Sequence, residues 1–177
     1  RFAVVTSVDR DDLPDGGAAH FAATIGEIRA LNPECGVEVL VPDFRGDDAA
    51  LGVVLAAGPD ILDHNLETVP RLYREVRPGA DYERSLRLLG RARARAGAGR
   101  PMRVKTGLMV GLGETRAEVD AVMRDCAAHG VDILTVGQYL QPTPAHHPVA
   151  RYWTPDEYRD LARAGRQPVC PRIHIAD

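Results

Sequence analysis

The chain has 177 residues, 45% of them hydrophobic, and a formal net charge of −3. That length suits one domain with a substantial core, and the charge excludes the basic footprint of a nucleic-acid binder. No apolar run is long enough to cross a bilayer as a helix and no secretory leader opens the sequence, so neither membrane nor nucleic acid is expected as a partner.

Phe2 to Thr6 reads as a short, buried, parallel strand. The chain starts inside this run and without methionine, so it reads as a piece of a longer protein. Ser7 to Gly17 follows as a loop carrying four carboxylates, Asp9, Asp11, Asp12 and Asp15, and the pair Gly16-Gly17. Such a loop caps a helix, but clustered like charges also call for something positive, and paired glycines let backbone approach a ligand. Ala18 to Leu31 is a helix with Phe21, Ile25 and Ile28 on one stripe, ended by Asn32-Pro33. Gly36 to Val41 is a strand and Asp47 to Ala57 a second helix. Ile61 to Asn65 is a third strand, with His64, Asn65 and Glu67 gathered at its tip. A lone histidine is as readily a packing residue as a ligand. Thr68 to Glu75 and Tyr82 to Ala98 are helical, and Arg91, Arg93 and Arg95 form a solvated face.

The stretch from Arg103 to Thr115 organises the rest. Arg103, Lys105, Gly107 and Met109 fall on one strand face; Val104, Thr106, Leu108 and Val110 fall on the other, which wants helices behind it. Lys105 is the only lysine in the chain, and Gly107 leaves room beside it. Gly111 and Gly113 break the strand, and Glu114 and Thr115 start a helix to about His129. Neither a dinucleotide fingerprint nor a phosphate loop is present. Cys126 lies on the apolar stripe and is a core thiol. Asp132 to Gly137 is the last strand expected, with Gln138 and Gln141 at its tip as neutral bidentate hydrogen bonders. His146-His147 reads as loop structure. Thr154-Pro155 starts a further helix. Cys35, Cys126 and Cys170 are too scattered for a disulfide framework, which points to a reducing, cytoplasmic setting.

Five strands alternating with helices, with polar residues after each strand, predict an α/β, open or partial (β/α) barrel with its site at the C-terminal rim. From the residues alone two chemistries stand open. One is a Schiff-base lyase with Lys105 as nucleophile. The other is a polar pocket for a nucleoside-type cofactor.

Several stretches resemble the lipoyl synthase family of radical S-adenosylmethionine enzymes. They are Thr6-Ser7-Val8-Asp9-Arg10-Asp11-Asp12-Leu13-Pro14-Asp15-Gly16-Gly17-Ala18, Val41-Pro42-Asp43-Phe44-Arg45-Gly46, His64-Asn65-Leu66-Glu67-Thr68-Val69-Pro70, Arg77-Pro78-Gly79-Ala80-Asp81-Tyr82, Lys105 to Thr115, and Gly137-Gln138-Tyr139-Leu140-Gln141-Pro142 with His146-His147-Pro148-Val149. The resemblance covers residues 1–166 and fades over 167–177. It implies a partial (β/α)6 TIM-like barrel, of which this chain holds about five βα units without the first strand, leaving Phe2–Thr6 as an exposed edge that invites association. It implies S-adenosyl-L-methionine and two [4Fe–4S] clusters as cofactors, and insertion of sulfur at C6 and C8 of an octanoyl-lysine on a lipoyl carrier domain or glycine cleavage H-type protein. A reducing electron donor is also implied. On this reading Ser7, Asp12, Gly16, Gly17, Asn65, Glu67, Gly107 and Gln138 hold the cofactor, and Lys105 and Gln141 hold the substrate. The family's cluster cysteines and its Arg-Ser-Ser motif have no counterpart in this sequence. No residue here is therefore assigned to metal or to catalysis, and the segment alone is expected to be inactive. A non-catalytic nucleoside-binding relic is the remaining alternative.

Overall fold

The computed structural model describes residues 1–96, 101–166 and 173–175. The end of the helix expected to reach Ala98, Cys170 and the rest of the 167–177 tail lie outside the described residues. In chain order the elements are β1 (Phe2–Thr6), α1 (Ala18–Leu31), β2 (Gly36–Leu40), α2 (Asp48–Ala56), β3 (Ile61–Asp63), α3 (Tyr73–Val76), α4 (Tyr82–Arg95), β4 (Arg103–Val110), α5 (Arg116–Ala128), β5 (Ile133–Gln138), α6 (Pro155–Arg166) and β6 (Ile173–Ile175). The six strands form one sheet in sequence order, and every neighbouring pair is parallel. All strand tips therefore share one rim. β1 and β6 are the two edges, so the sheet is an open, partial barrel.

β4 alternates as its sequence predicts. Val104, Thr106, Leu108 and Val110 are buried under the helix layer, while Lys105, Gly107 and Met109 are half-buried on the inner face. The helix layer supplies Phe21 and Ile25 from α1, Leu51 and Val54 from α2, Leu86 and Leu89 from α4, and Val122 and Cys126 from α5, all in one continuous core. Helix starts follow local capping rules. Asp47 caps α2 and Asp81 caps α4. Thr115 and Glu118 close a reciprocal capping box on α5, and Thr154 with Glu157 does the same ahead of α6.

Three expectations change. β1 is not buried. Phe2 is 55% and Val4 62% exposed, because β1 pairs only with β2 and lies at the edge. The stretch from Thr68 to Glu75 is not one helix but a 3-10 turn at Pro70–Leu72 running into the single turn of α3; Val69 is extended and Pro70 opens the turn at its first position. A sixth strand, β6, adds beside β5 where no strand was expected.

Candidate functional site

A cleft of about 990 Å³ opens at the rim over the tips of β1, β2 and β3. Ser7, Asp9, Asp11, Asp15 and Gly16 line it from the loop after β1. The counter-charge this acidic loop needs comes from the chain itself. Asp11 pairs with Arg45 at 2.9 Å. Asp12 takes both hydrogens of the Arg10 fork at 2.7 Å, and that bond holds its carboxyl below the usual range. Asp15 accepts from the Ala19 and Gly17 amides, at 2.8 and 3.0 Å, and is held low by them. Asp12 and Gly17 therefore serve the loop's own structure: neither lines the cleft. The Ser7 hydroxyl donates to the Val8 carbonyl at 2.9 Å.

The tip of β3 has a different character. Glu67 sits in the left-handed region at φ 65°. It is held there because its amide donates to the Gly107 carbonyl (2.9 Å) and its carbonyl accepts from Met109 (2.8 Å). A non-glycine residue fixed in this region by its surroundings is a common sign of function. The Asn65 amide and the Glu67 carboxylate make no hydrogen bond within the described residues. Both face the rim cleft and a second, inner cleft of about 350 Å³. Gly107 makes room for the Asn65 side chain in this position: a Cβ there would stand 2.6 Å from Asn65 Oδ1. Two unpartnered polar groups over a backbone without a side chain can bind the hydroxyls of a sugar, amide and carboxylate each taking one.

The inner cleft is floored by charge. Lys105 Nζ donates to Glu38 Oε1 on β2 at 2.6 Å and lies 3.1 Å from Asp63 Oδ2 on β3. Glu38 is 7% and Asp63 4% exposed. Burial, with repulsion from Glu38, raises Asp63 to about 6 despite the pull of Lys105. Burial works against the Lys105 ammonium, but the Glu38 hydrogen bond and the two carboxylates outweigh it, so its pKa rises. A lysine held in its charged form is the opposite of an activated amine nucleophile, and the Schiff-base reading is not favoured. Lys105 was expected to hold the substrate, yet it meets two carboxylates of its own chain. Neither Glu38 nor Asp63 was singled out from the sequence, although each sits at an inward position of an otherwise apolar strand.

The tip of β5 is engaged by protein. Gln138 Nε2 donates to the Tyr139 and Arg151 carbonyls at 3.0 and 3.1 Å, and Oε1 accepts from the Trp153 amide at 3.0 Å. Glu114 holds the glycine turn below, accepting from the Gly111 and Leu112 amides and from the Trp153 indole at 2.7 to 2.9 Å. Gly111 has φ 102°, and a Cβ there would stand 2.6 Å from the Arg151 carbonyl oxygen. Gln138 still borders the inner cleft, but its amide is committed to this strap. Gln141 lies outside both clefts, exposed, and donates to the His146 carbonyl at 2.9 Å.

His64 is a packing residue. It is 3% exposed, and its Nδ1 lies 2.9 Å from the Val41 carbonyl and its Nε2 2.9 Å from the Ser85 hydroxyl. The carbonyl can only accept, so Nδ1 carries the hydrogen, and burial keeps the ring neutral. His147 likewise contacts the Leu112 carbonyl at 2.9 Å, as loop structure. Among the described residues no three His, Cys, Asp or Glu side chains gather as a metal site. Cys35 and Cys126 are each buried. The described residues therefore fit a nucleoside but not an iron–sulfur cluster. Among them no helix is long and apolar enough to cross a membrane.

Residues 1–126 match the family described as the radical SAM superfamily. The chain is 55% identical over 168 residues to the lipoyl synthase of Xanthomonas euvesicatoria pv. vesicatoria (strain 85-10), a match covering 93% of this chain and 49% of that protein. It is 56% identical over 168 residues to the lipoyl synthase of Xylella fastidiosa (strain M23), covering 93% and 44%. The chain thus spans about half the length of the curated relatives it matches. Its fold is similar to methylornithine synthase (PylB), with a TM-score of 0.75 at 16% identity over 94% of this chain and 48% of that one. It is also similar to Streptococcus suis SuiB bound to S-adenosylmethionine, with a TM-score of 0.66 at 8% identity over 99% and 39%. At those identities the likeness is one of fold.

Proposed function

The chain belongs to the radical SAM superfamily, and from that premise we propose that it is the barrel portion of a lipoyl synthase, a sulfur-inserting transferase acting on a protein-bound octanoyl-lysine. The observation that carries this reading is the identity above 50% to lipoyl synthases over nearly the whole chain. The unpartnered Asn65 and Glu67 at the junction of the two clefts support it.

S-adenosyl-L-methionine, when bound with a [4Fe–4S] cluster, supplies a radical able to take hydrogen from unactivated carbon. The chain's own residues bind and orient. Asn65 and Glu67 hold the ribose hydroxyls, and Gly107 leaves space for the nucleoside against the sheet. Ser7 and Gly16 bound the side of the rim cleft on which the amino-acid end lies. Met109, Leu40 and Val4 give the inner cleft an apolar wall suited to an acyl chain. The reaction replaces hydrogens at C6 and C8 by sulfur, which a second [4Fe–4S] cluster would supply; none of the described residues would hold it. The partners are an octanoylated lipoyl domain or H-type protein and a reducing electron donor.

The experiment is complementation. The gene for the complete protein, expressed in a bacterial strain lacking lipoate synthesis, restores growth without lipoate and restores lipoylated bands on a blot. Stable, iron-loaded protein with no lipoylation overturns the reading.

A further inference from the structure

The inner cleft ends on ions. Along β4 the inner-face positions run Met109, Gly107, Lys105 and Arg103 from the rim downward. The first three border the cleft and Arg103 does not. On β3 Asp63 borders it, while Ile61, one inward position lower, does not. On β5 Thr135 borders it, while Ile133 below does not. Asp63 and Ile133 both stand level with Lys105 in the ladder, so the cleft stops at that level. Its floor is the Lys105 ammonium, 2.6 Å from Glu38 and 3.1 Å from Asp63. Asp63 Oδ1 is closed to solvent, whereas the Lys105 side chain is 24% exposed. Between floor and rim, Gly107 and Gly137 carry no side chain to obstruct the face.

An alkyl chain can descend this face but not pass the floor. A methylene pressed onto the trio displaces water and offers the ions no hydrogen bond in return. Parting a buried ion pair costs more than burying a methylene gains. The strand sets the depth. At about 3.3 Å per residue, Lys105 lies about 13 Å below Met109, and Gly107 about 6.6 Å below it. A staggered alkyl chain advances about 1.3 Å per carbon, given a C–C bond of about 1.5 Å. Eight carbons therefore cover about 9 Å, and a methyl resting on the floor stands about 4 Å above it. The two lengths together match the depth. With C1 level with Met109, C6 falls level with Gly107, beside the proposed nucleoside, and C8 lies just below.

We propose that the Glu38–Lys105–Asp63 trio, with Thr135 one inward position above it, measures the acyl chain, stopping eight carbons where C6 and C8 pass the nucleoside. The assignment rests on the lipoyl synthase reading and adds to it the residues that set chain length. It makes Thr135 and the Lys105 floor specificity determinants.

The test uses the complete protein with its cofactors and measures its affinity for lysine peptides acylated with six, eight, ten or twelve carbons. The wild type binds the eight-carbon peptide about 10-fold more tightly than the six-carbon one, the worth of two more buried methylenes. It gains nothing further at ten or twelve. The Thr135 hydroxyl has no partner within the described residues, so Thr135→Leu removes no hydrogen bond and fills the lower end of the cleft. It moves the plateau down to six carbons. A further gain at ten carbons in the wild type overturns the assignment without need of any variant. A plateau still at eight carbons in folded Thr135→Leu also overturns it. If no acyl peptide of any length binds, the lipoyl synthase reading falls and the assignment with it.

Discussion

The tips of β3 and β5 carry similar side chains and use them in opposite ways. Asn65 and Glu67 at β3 keep an amide and a carboxylate free beside two clefts. At β5 the Gln138 amide makes three hydrogen bonds to backbone of its own chain. Buried polar groups are normally satisfied. A ligand site is therefore found where the fold has left capacity over, and a structural strap where it has not. Residue type at a strand tip does not separate the two.

The largest expected effect comes from the inner face, where Lys105 is held between two buried carboxylates. Lys105→Met leaves Glu38 and Asp63 buried side by side without their cation, and should cost about 3 kcal/mol in denaturant unfolding, the size expected for breaking a buried pair. An unchanged midpoint would mean the trio is not formed. Next is the β5 strap. Gln138→Leu removes one acceptor and one amide donor and should cost about 2 kcal/mol, with S-adenosylmethionine affinity falling less than stability. Loss of binding in a stable variant would instead make β5 a ligand site like β3.

At β3 the pattern should invert. Asn65→Ala or Glu67→Gln should shift stability by less than about 0.5 kcal/mol, since neither side-chain polar group is bonded to protein. Each should weaken nucleoside binding about 10-fold or more in equilibrium dialysis, the worth of a hydrogen bond or two. A variant that unfolds while still binding would erase the contrast.

The buried trio also sets a pH dependence. Asp63 is raised to about 6 in the folded chain from an ordinary carboxylate value, so between about pH 4 and pH 6 the folded state holds more protons than the unfolded one. Stability from this group therefore falls as pH rises through that window, by roughly 1–3 kcal/mol. Unfolding of the wild type against Asp63→Asn across the window measures it. A difference that grows in the other direction would mean the Lys105 attraction dominates burial.

Much of the fold was legible because it rests on local rules. The β4 alternation and the α1 boundaries are read from periodicity and terminators, and the starts of α5 and α6 from capping residues. What failed depends on which element lies beside which. Phe2 and Val4 look like core until β1 is seen at an edge. The four carboxylates after β1 look like a vacancy for a cation until Arg10 and Arg45 arrive. Asn65, Glu67 and Gly107 stand out in the sequence from their place after β3 and on β4, and the structure sets them beside the two clefts. Asp12, Gly17, Gln138 and Gln141 have the right chemistry in the right loops, and only three-dimensional partners show that they are engaged elsewhere. The signal for Glu38 and Asp63 was present in the sequence: each is a carboxylate at an inward position of a strand, opposite in charge to the single lysine.

One measurement reaches the central claim most directly. The complete protein, reconstituted anaerobically with iron and sulfide, is given S-adenosylmethionine, a reductant and an octanoyl-lysine peptide, and the peptide is followed by mass spectrometry. The account predicts a product carrying two sulfurs on the acyl chain, reduced at least 10-fold in Glu67→Gln by weakened nucleoside binding. Cleavage of S-adenosylmethionine with the peptide returned unchanged would contradict it.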